Sequence, residues 1–273
     1  MKRVWYHANC SDGFAAAWAA WRALGDQGVR YVPVQYGEPV PHVDPCDEVY
    51  ILDFSYSREV LCELAETAMV EVHDHHASAE RALADLPFAR CDREHSGAVL
   101  AWQRFHGGEP VPQLLEYVED RDLWRWALAD SREVNAAVGS YQHSFQVWTE
   151  LADRPMASLA WEGTAILRAR QRQIEALIGV GGKRLRVAEL GEYMGVAVCA
   201  PLLQSEVCEE ILRQWPEMDF ALAWFEDGAG QRIVSLRSRA GGMDVSVLAE
   251  RFGGGGHPRS AGFAVPAGGT WPW

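Results

Sequence analysis

Four consecutive titratable residues, His73-Asp74-His75-His76, stand directly after the apolar run Met69 to Val72. Four such groups at the end of a strand that enters a core are costly to desolvate unless something neutralises or coordinates them. Two more stretches have the same form: His7, Asn9 and Asp12 follow Lys2 to Tyr6, and Asp53 follows Tyr50-Ile51-Leu52. Aspartate and histidine are ligands for divalent cations. Two such ions a few ångströms apart can clamp a phosphate, activate a water and stabilise the leaving oxygen. Asp120 or Asp122, after a helical stretch, offers a further carboxylate. Taken singly, a strand-end Asp is more often a helix cap or turn former than a ligand, and a buried His is usually a satisfied core residue. The His-Asp-His-His run is the piece that these ordinary roles do not explain.

The elements that must position these residues are legible in outline. Lys2 to Tyr6 reads as a strand, and Gly13 to Leu24, rich in Ala and bulky apolar residues, as a packed helix. Val29 to Val34 and Glu48 to Leu52 read as strands, Arg58 to Ala68 as a helix, and Met69 to Val72 as another strand. Strands alternating with helices predict a parallel sheet covered on both faces. In such a sheet ligands bind beyond the carboxyl ends of the strands, where loops converge and helix N-termini point their N–H groups outward. His7 to Asp12, Asp53 and Asp74 to His76 all fall there.

Helices follow at Ser96 to Phe105 and Pro112 to Glu119, then a long charged helix over Met156 to Ile178 that closes at Gly179-Val180-Gly181-Gly182. Beyond it lie strands near Met194 to Cys199, Phe220 to Phe225 and Ile233 to Leu236, with helices around Glu206 and Val245. The expected organisation is a catalytic domain over 1–150, a helical connector over 151–182 and a smaller α/β domain over 183–273.

Near the end of the chain stands Phe252-Gly253-Gly254-Gly255-Gly256-His257-Pro258-Arg259-Ser260-Ala261-Gly262-Phe263. Consecutive glycines carry a large backbone entropy cost, so a folded domain keeps them for unusual dihedrals or close backbone approach. A flexible linker is the other reading, but the run continues into His257 and Arg259 rather than Ser-rich filler, and leaves little to connect. A glycine-rich nest of N–H donors flanked by His257 and Arg259 predicts a grip for an anion.

These pieces together resemble the DHH phosphoesterases, named for the Asp-His-His that stands here at Asp74-His75-His76, in the branch that carries a C-terminal DHHA1 domain. Tyr6-His7-Ala8-Asn9-Cys10-Ser11-Asp12-Gly13 is similar to the first motif, Leu52-Asp53-Phe54-Ser55 to the second, and Asp120-Arg121-Asp122-Leu123-Trp124 falls where the fourth is expected. The glycine run resembles the Gly-Gly-Gly-His motif of DHHA1 domains, and Ser235-Leu236-Arg237-Ser238 the strand that contacts the substrate's non-scissile phosphate or base. The resemblance covers about residues 3–126 and 230–264, in matched order. It implies an α/β fold with an N-terminal parallel-sheet DHH domain joined by a helical connector to a smaller DHHA1 domain.

The resemblance also implies roles. Asp53 bridges two divalent cations, commonly manganese, with magnesium as the alternative. His7 completes the first ion's shell; Asp12, His75 and Asp120 hold the second. Asp74 orients a neighbouring histidine and His76 faces the substrate phosphate. Gly254, Gly255, Gly256, His257, Arg259, Arg237 and Ser238 bind substrate. Asn9 departs from the family, which often has Asp in the metal shell there, and a neutral amide binds a hard cation more weakly. The interval from Asn9 to Asp12 is also one residue longer than in the exonuclease-like members.

Net charge narrows the substrate. At −13, the field repels long polyanions, whose binding rests on many Lys and Arg contacts to phosphate, so long duplex DNA is not expected. A short oligonucleotide or a mononucleotide needs only a local patch. The resemblance thus implies hydrolysis of di- to pentanucleotides or of a 3′-phosphorylated adenosine nucleotide. A cyclic-dinucleotide phosphodiesterase, a processive exonuclease and a catalytically weak nucleotide sensor, the last favoured by Asn9, stand as alternatives. Six cysteines without a Cys-x-x-Cys pair, no secretory leader before Val4 and no apolar run of about 20 residues predict a cytoplasmic protein with reduced thiols and no membrane partner. Monomer and homodimer are both compatible with the sequence.

Overall fold

The structure is a computed structural model that describes residues 1–35 and 37–273. It divides into two units, Met1–Leu167 and Arg168–Trp273.

The first unit opens with β1 (Lys2–His7), α1 (Ser11–Leu24), β2 (Val29–Val34), β3 (Glu48–Leu52), α2 (Arg58–Thr67), β4 (Met69–Asp74), α3 (Ala77–Leu83) and β5 (Ala89–Cys91). The strands form one parallel sheet in the order β2-β1-β3-β4-β5. Side chains alternate across a strand, and here both faces are buried. Val4, Tyr50 and Leu52 enter one core, while Trp5, Val49 and Ile51 enter the other. Pro33 is tolerated because β2 is an edge strand, where a missing N–H breaks fewer ladder bonds.

On the second face, α2 and α3 contribute Leu61, Leu64, Ala79 and Leu83. The first face is covered by α1, α4 (Gly97–His106), α5 (Gln113–Asp122), α6 (Ser131–Val138) and α7 (Phe145–Ala152). The alanines of α1 explain its neighbour: Ala16, Ala19 and Ala20 are fully buried beside Ala98 and Ala101 of α4 in one core. Small side chains let two helices approach closely, and Trp18 and Trp102 then stack with ring centroids 6.1 Å apart.

The division between the units falls inside α8 (Met156–Ile178). Its first turns put Met156 and Leu159 into the first unit's core, and its last put Ile174 and Ile178 into the second's.

The second unit continues with β6 (Arg186–Leu190), β7 (Tyr193–Cys199), α9 (Gln204–Gln214), β8 (Phe220–Glu226), β9 (Arg232–Arg237), α10 (Val245–Glu250), β10 (Gly255–His257) and β11 (Ser260–Val265). Its mixed sheet runs β10-β11-β9-β8-β7-β6, with only the β7–β8 pair parallel. One face packs on α9 through Val207, Cys208 and Ile211, the other on α10 through Val245, Leu248 and Ala249. Among the described residues no helix is long and apolar enough to cross a membrane.

Candidate metal centre

Asp53 ends β3 with a left-handed backbone, φ +64°, which is uncommon for a residue with a Cβ and clusters where structure is held for a purpose. Its N–H donates to the His73 carbonyl, and its side chain is 1% exposed. Its two oxygens face different groups. Oδ2 lies 3.5 Å from His7 Nδ1, and Oδ1 lies 3.1 Å from His75 Nε2. The alignment is poor, so neither carboxylate oxygen receives a well-formed hydrogen bond. An ionised carboxylate that is buried and so weakly bonded is costly, unless a cation completes its surroundings.

Two groups of donor atoms flank it. His7, Cys10 and Asp53 can each turn a ligand atom to within 4.8 Å of the other two, and so can Asp12, His75 and Asp122. His75 Nε2 is 3.8 Å from Asp12 Oδ2 and 3.5 Å from Asp122 Oδ2. The donor set of imidazole, carboxylate and thiol on either side of one buried carboxylate fits a pair of divalent cations that share Asp53.

The charges show the same need. Burial raises the carboxyl of Asp12 well above its usual range, and Asp53 and Asp122 push in the same direction. Asp122, although more exposed, is also raised where the crowded centre desolvates it, with His75 opposing and Asp53 adding to the rise. For Asp53 burial acts upward but loses to His7 and His75, and the group stays below the ordinary carboxylate range. His75, which burial alone would lower, is lifted to about 10 by Asp53, Asp122 and Asp12. One imidazole thus serves three crowded carboxylates, and added positive charge would relieve them.

Asp12 is aimed by the start of α4. Gly97 N–H donates to its Oδ2 at 2.7 Å and Ala98 N–H to its Oδ1 at 3.0 Å, so a helix N-terminus holds the carboxylate. Glycine is required at two contacts of this frame. A Cβ on Gly97 would sit 2.5 Å from Asp53 Cβ, and one on Gly13 would sit 2.2 Å from the His7 carbonyl oxygen. Asp74, fully buried, accepts from the His75 and His76 amides at 2.7 and 3.1 Å and contacts His76 Nδ1 at 2.7 Å. It therefore orients His76, whose ring burial would lower in pKa but Asp74 raises. His73 is used otherwise: Nε2 contacts Glu71 Oε1 at 2.8 Å.

Two expectations are corrected. Asp120 does not stand in the centre: its Oδ1 accepts from Ala127 N–H at 2.8 Å and its Oδ2 from Leu128 N–H at 3.3 Å, folding the loop after α5. α5 runs through Asp122, and residues two apart on a helix lie about 200° apart, so only one can face β3 and β4. That one is Asp122. Asn9 is exposed with φ +55°, the left-handed turn conformation that Asn tolerates, and the next side chain, Cys10, is the one grouped with His7 and Asp53. A thiol three residues after a histidine and two before an aspartate was the sequence signal for it.

The second half of the glycine run, Gly255 and Gly256, lies in the short strand β10. Gly254 N–H donates to the Ala249 carbonyl, and Gly255, Gly256 and His257 pair with Gly262, Ala261 and Ser260. Glycine serves close approach here: a Cβ on Gly254 would meet the Gly262 oxygen at 2.0 Å. Ser238 N–H donates to the Arg259 carbonyl at 3.2 Å, and Ser260 pairs with Arg237, so Arg237, Ser238 and Arg259 are neighbours. The Arg237 guanidinium donates to Ser205 Oγ at 2.6 Å and to the Leu236 carbonyl at 2.8 Å.

No known family's sequence profile matches the chain. It is 26% identical over 282 residues to Uncharacterized protein R106 of Acanthamoeba polyphaga mimivirus, a likeness that takes in 96% of this chain. The chain spans 66% of that relative's length. Among solved structures it superposes on the pGpG-specific phosphodiesterase PggH of Vibrio cholerae with a TM-score of 0.51 at 14% identity, over 97% of this chain and 93% of that one. It superposes on RecJ of Thermus thermophilus in complex with Mn2+ with a TM-score of 0.53 at 17% identity, over 96% of this chain and 49% of that one. The chain has the fold of the DHH–DHHA1 phosphoesterases. This DHH fold accounts for the parallel sheet, the connecting helix and the C-terminal mixed sheet in their observed order.

Proposed function

We propose that this DHH-fold chain is a two-metal phosphoesterase, a phosphoric ester hydrolase acting on the terminal phosphate ester of a short oligonucleotide or a small nucleotide. The observation that carries the reading is Asp53, buried, with one oxygen toward His7 and the other toward His75, and with Cys10 grouped beside it and His7. Two divalent ions held there, manganese or magnesium, would supply Lewis acidity toward a phosphoryl oxygen and acidify a water. RecJ, whose fold this chain shares, is a manganese-bound structure, and PggH is named for hydrolysis of pGpG.

The chain's own residues divide the remaining work. Gly97 and Ala98 hold Asp12 in place, and Asp74 fixes the Nδ1 side of His76 so that Nε2 is the ring atom that would meet a phosphoryl oxygen. We assign the rest of the substrate to the C-terminal unit, through Arg237, Ser238, His257, Arg259 and the Gly255–Gly256 backbone. The net charge of −13 favours ligands short enough to be gripped by such a local set.

Asp53→Ala and His75→Ala are expected to abolish manganese-dependent hydrolysis of a panel of dinucleotides, pentanucleotides and 3′-phosphorylated adenosine nucleotides while leaving the circular dichroism spectrum intact. Hydrolysis retained in either variant refutes the assignment. Product-length analysis on the same panel tests the substrate class: degradation of long strands without intermediates would identify a processive exonuclease instead.

A further inference from the structure

We propose that Cys10 is a metal ligand, a thiolate that completes one half of the centre with His7 and Asp53 and biases that half toward a softer divalent ion such as zinc. This rests on the metal-centre reading above and deepens it.

Three observations carry it. The sulfur, His7 and Asp53 can bring their ligand atoms within 4.8 Å of one another, and among the described residues this is the only such group that contains a cysteine. Asp53 is 1% exposed, and its Oδ2, on the His7 side, lacks a well-formed hydrogen bond. His7 Nδ1 and Asp53 Oδ2 are 3.5 Å apart, close to the roughly 3.3–3.6 Å that separates ligands bound tetrahedrally at about 2.0–2.2 Å from one ion. The backbone explains how the sulfur gets there. Asn9 takes the left-handed turn and stays exposed, while Cys10 occupies the extended N-cap position of α1 beside His7 and Asp53.

Ligand softness then separates the halves of the centre. Asp12, His75 and Asp122 offer oxygen and imidazole, which suit manganese or magnesium, whereas a thiolate beside imidazole selects zinc and its congeners. The inferred centre is mixed: a borderline-soft ion on the His7–Cys10 side of Asp53 and a harder one on the His75 side.

Cobalt(II) titration of the metal-free full chain tests this, because thiolate-to-cobalt charge transfer absorbs in the near ultraviolet whatever the enzymatic activity. The wild type is expected to develop that absorption, and Cys10→Ser to bind cobalt without it. In competition, Cys10→Asp is expected to lose zinc affinity relative to manganese by at least the 10–100-fold that loss of an outer partner already produces. Cobalt bound by the wild type with no charge-transfer band, or a band that survives in Cys10→Ser, overturns the Cys10 assignment and leaves the metal centre standing. A wild type that binds neither cobalt nor zinc overturns both.

Discussion

Gly97→Ala tests whether the site depends on packing behind it as well as on its ligands. The added methyl would lie 2.5 Å from Asp53 Cβ, 2.7 Å from Oδ1 and 2.8 Å from Cγ. Non-bonded carbons rest at about 3.5–4.0 Å, so α4 and Asp53 must separate by about 1 Å. The displacement falls on Oδ1, the oxygen that faces His75, and it also drags the Gly97 N–H that holds Asp12. A misplacement of about 1 Å can cost on the order of 10²-fold in rate, and overpacking of this kind costs about 1–3 kcal/mol in stability. The variant is therefore expected to fold, to melt earlier by roughly 2–4 °C per kcal/mol lost, and to hydrolyse a dinucleotide about 10²-fold more slowly. Calorimetric titration should show the second manganese weakened while the ion on the His7 side is retained. A folded Gly97→Ala protein with wild-type rate and wild-type manganese affinity would refute the claim that close contact between α4 and Asp53 sets the geometry.

Two further outcomes follow from side chains near the centre. Asp120→Ala leaves the Ala127 and Leu128 amides without their acceptor and should cost about 1–3 kcal/mol by denaturant titration with metal affinity kept, whereas Asp122→Ala should keep stability and lose the ion beside His75. The reverse pattern would restore Asp120 to the centre. Glu71 is drawn down to about 2 because, against burial, His73 and Arg104 favour its charged form. Its unfolded value is about 4.3, so its stabilisation is present above that pH and disappears as pH falls from about 4.3 toward 2. Glu71→Gln should flatten that limb of a stability-against-pH curve, and an unchanged acid limb would show that the ion pair does not contribute.

The sequence by itself determined much of this protein. Alternation of apolar strands with helices specified a parallel sheet, and that topology alone assigns His7, Asp53 and Asp74 to one end of it, because strands of one direction share a carboxyl edge. The cost of four titratable groups after Met69 to Val72 marked the centre before any distance was known. The short elements Ala77–Leu83, Ala89–Cys91, Ser131–Val138 and Phe145–Ala152 were not legible, since a few residues carry little periodicity and their place depends on the core they cover.

Only the tertiary structure chose between neighbours. Asp120 and Asp122 are chemically identical, and the choice rests on where α5 ends and how it turns against the sheet. Asn9 and Cys10 are one residue apart, and the left-handed turn at Asn9 sends the next side chain toward His7 and Asp53. Gly255, Gly256 and His257 became a strand because β11 was there to pair with them. Local pattern reports which face a residue occupies, whereas the meeting of residues 7, 10, 12, 53, 75 and 122 is decided by long-range packing that brings α1, α4 and α5 onto the same end of one sheet.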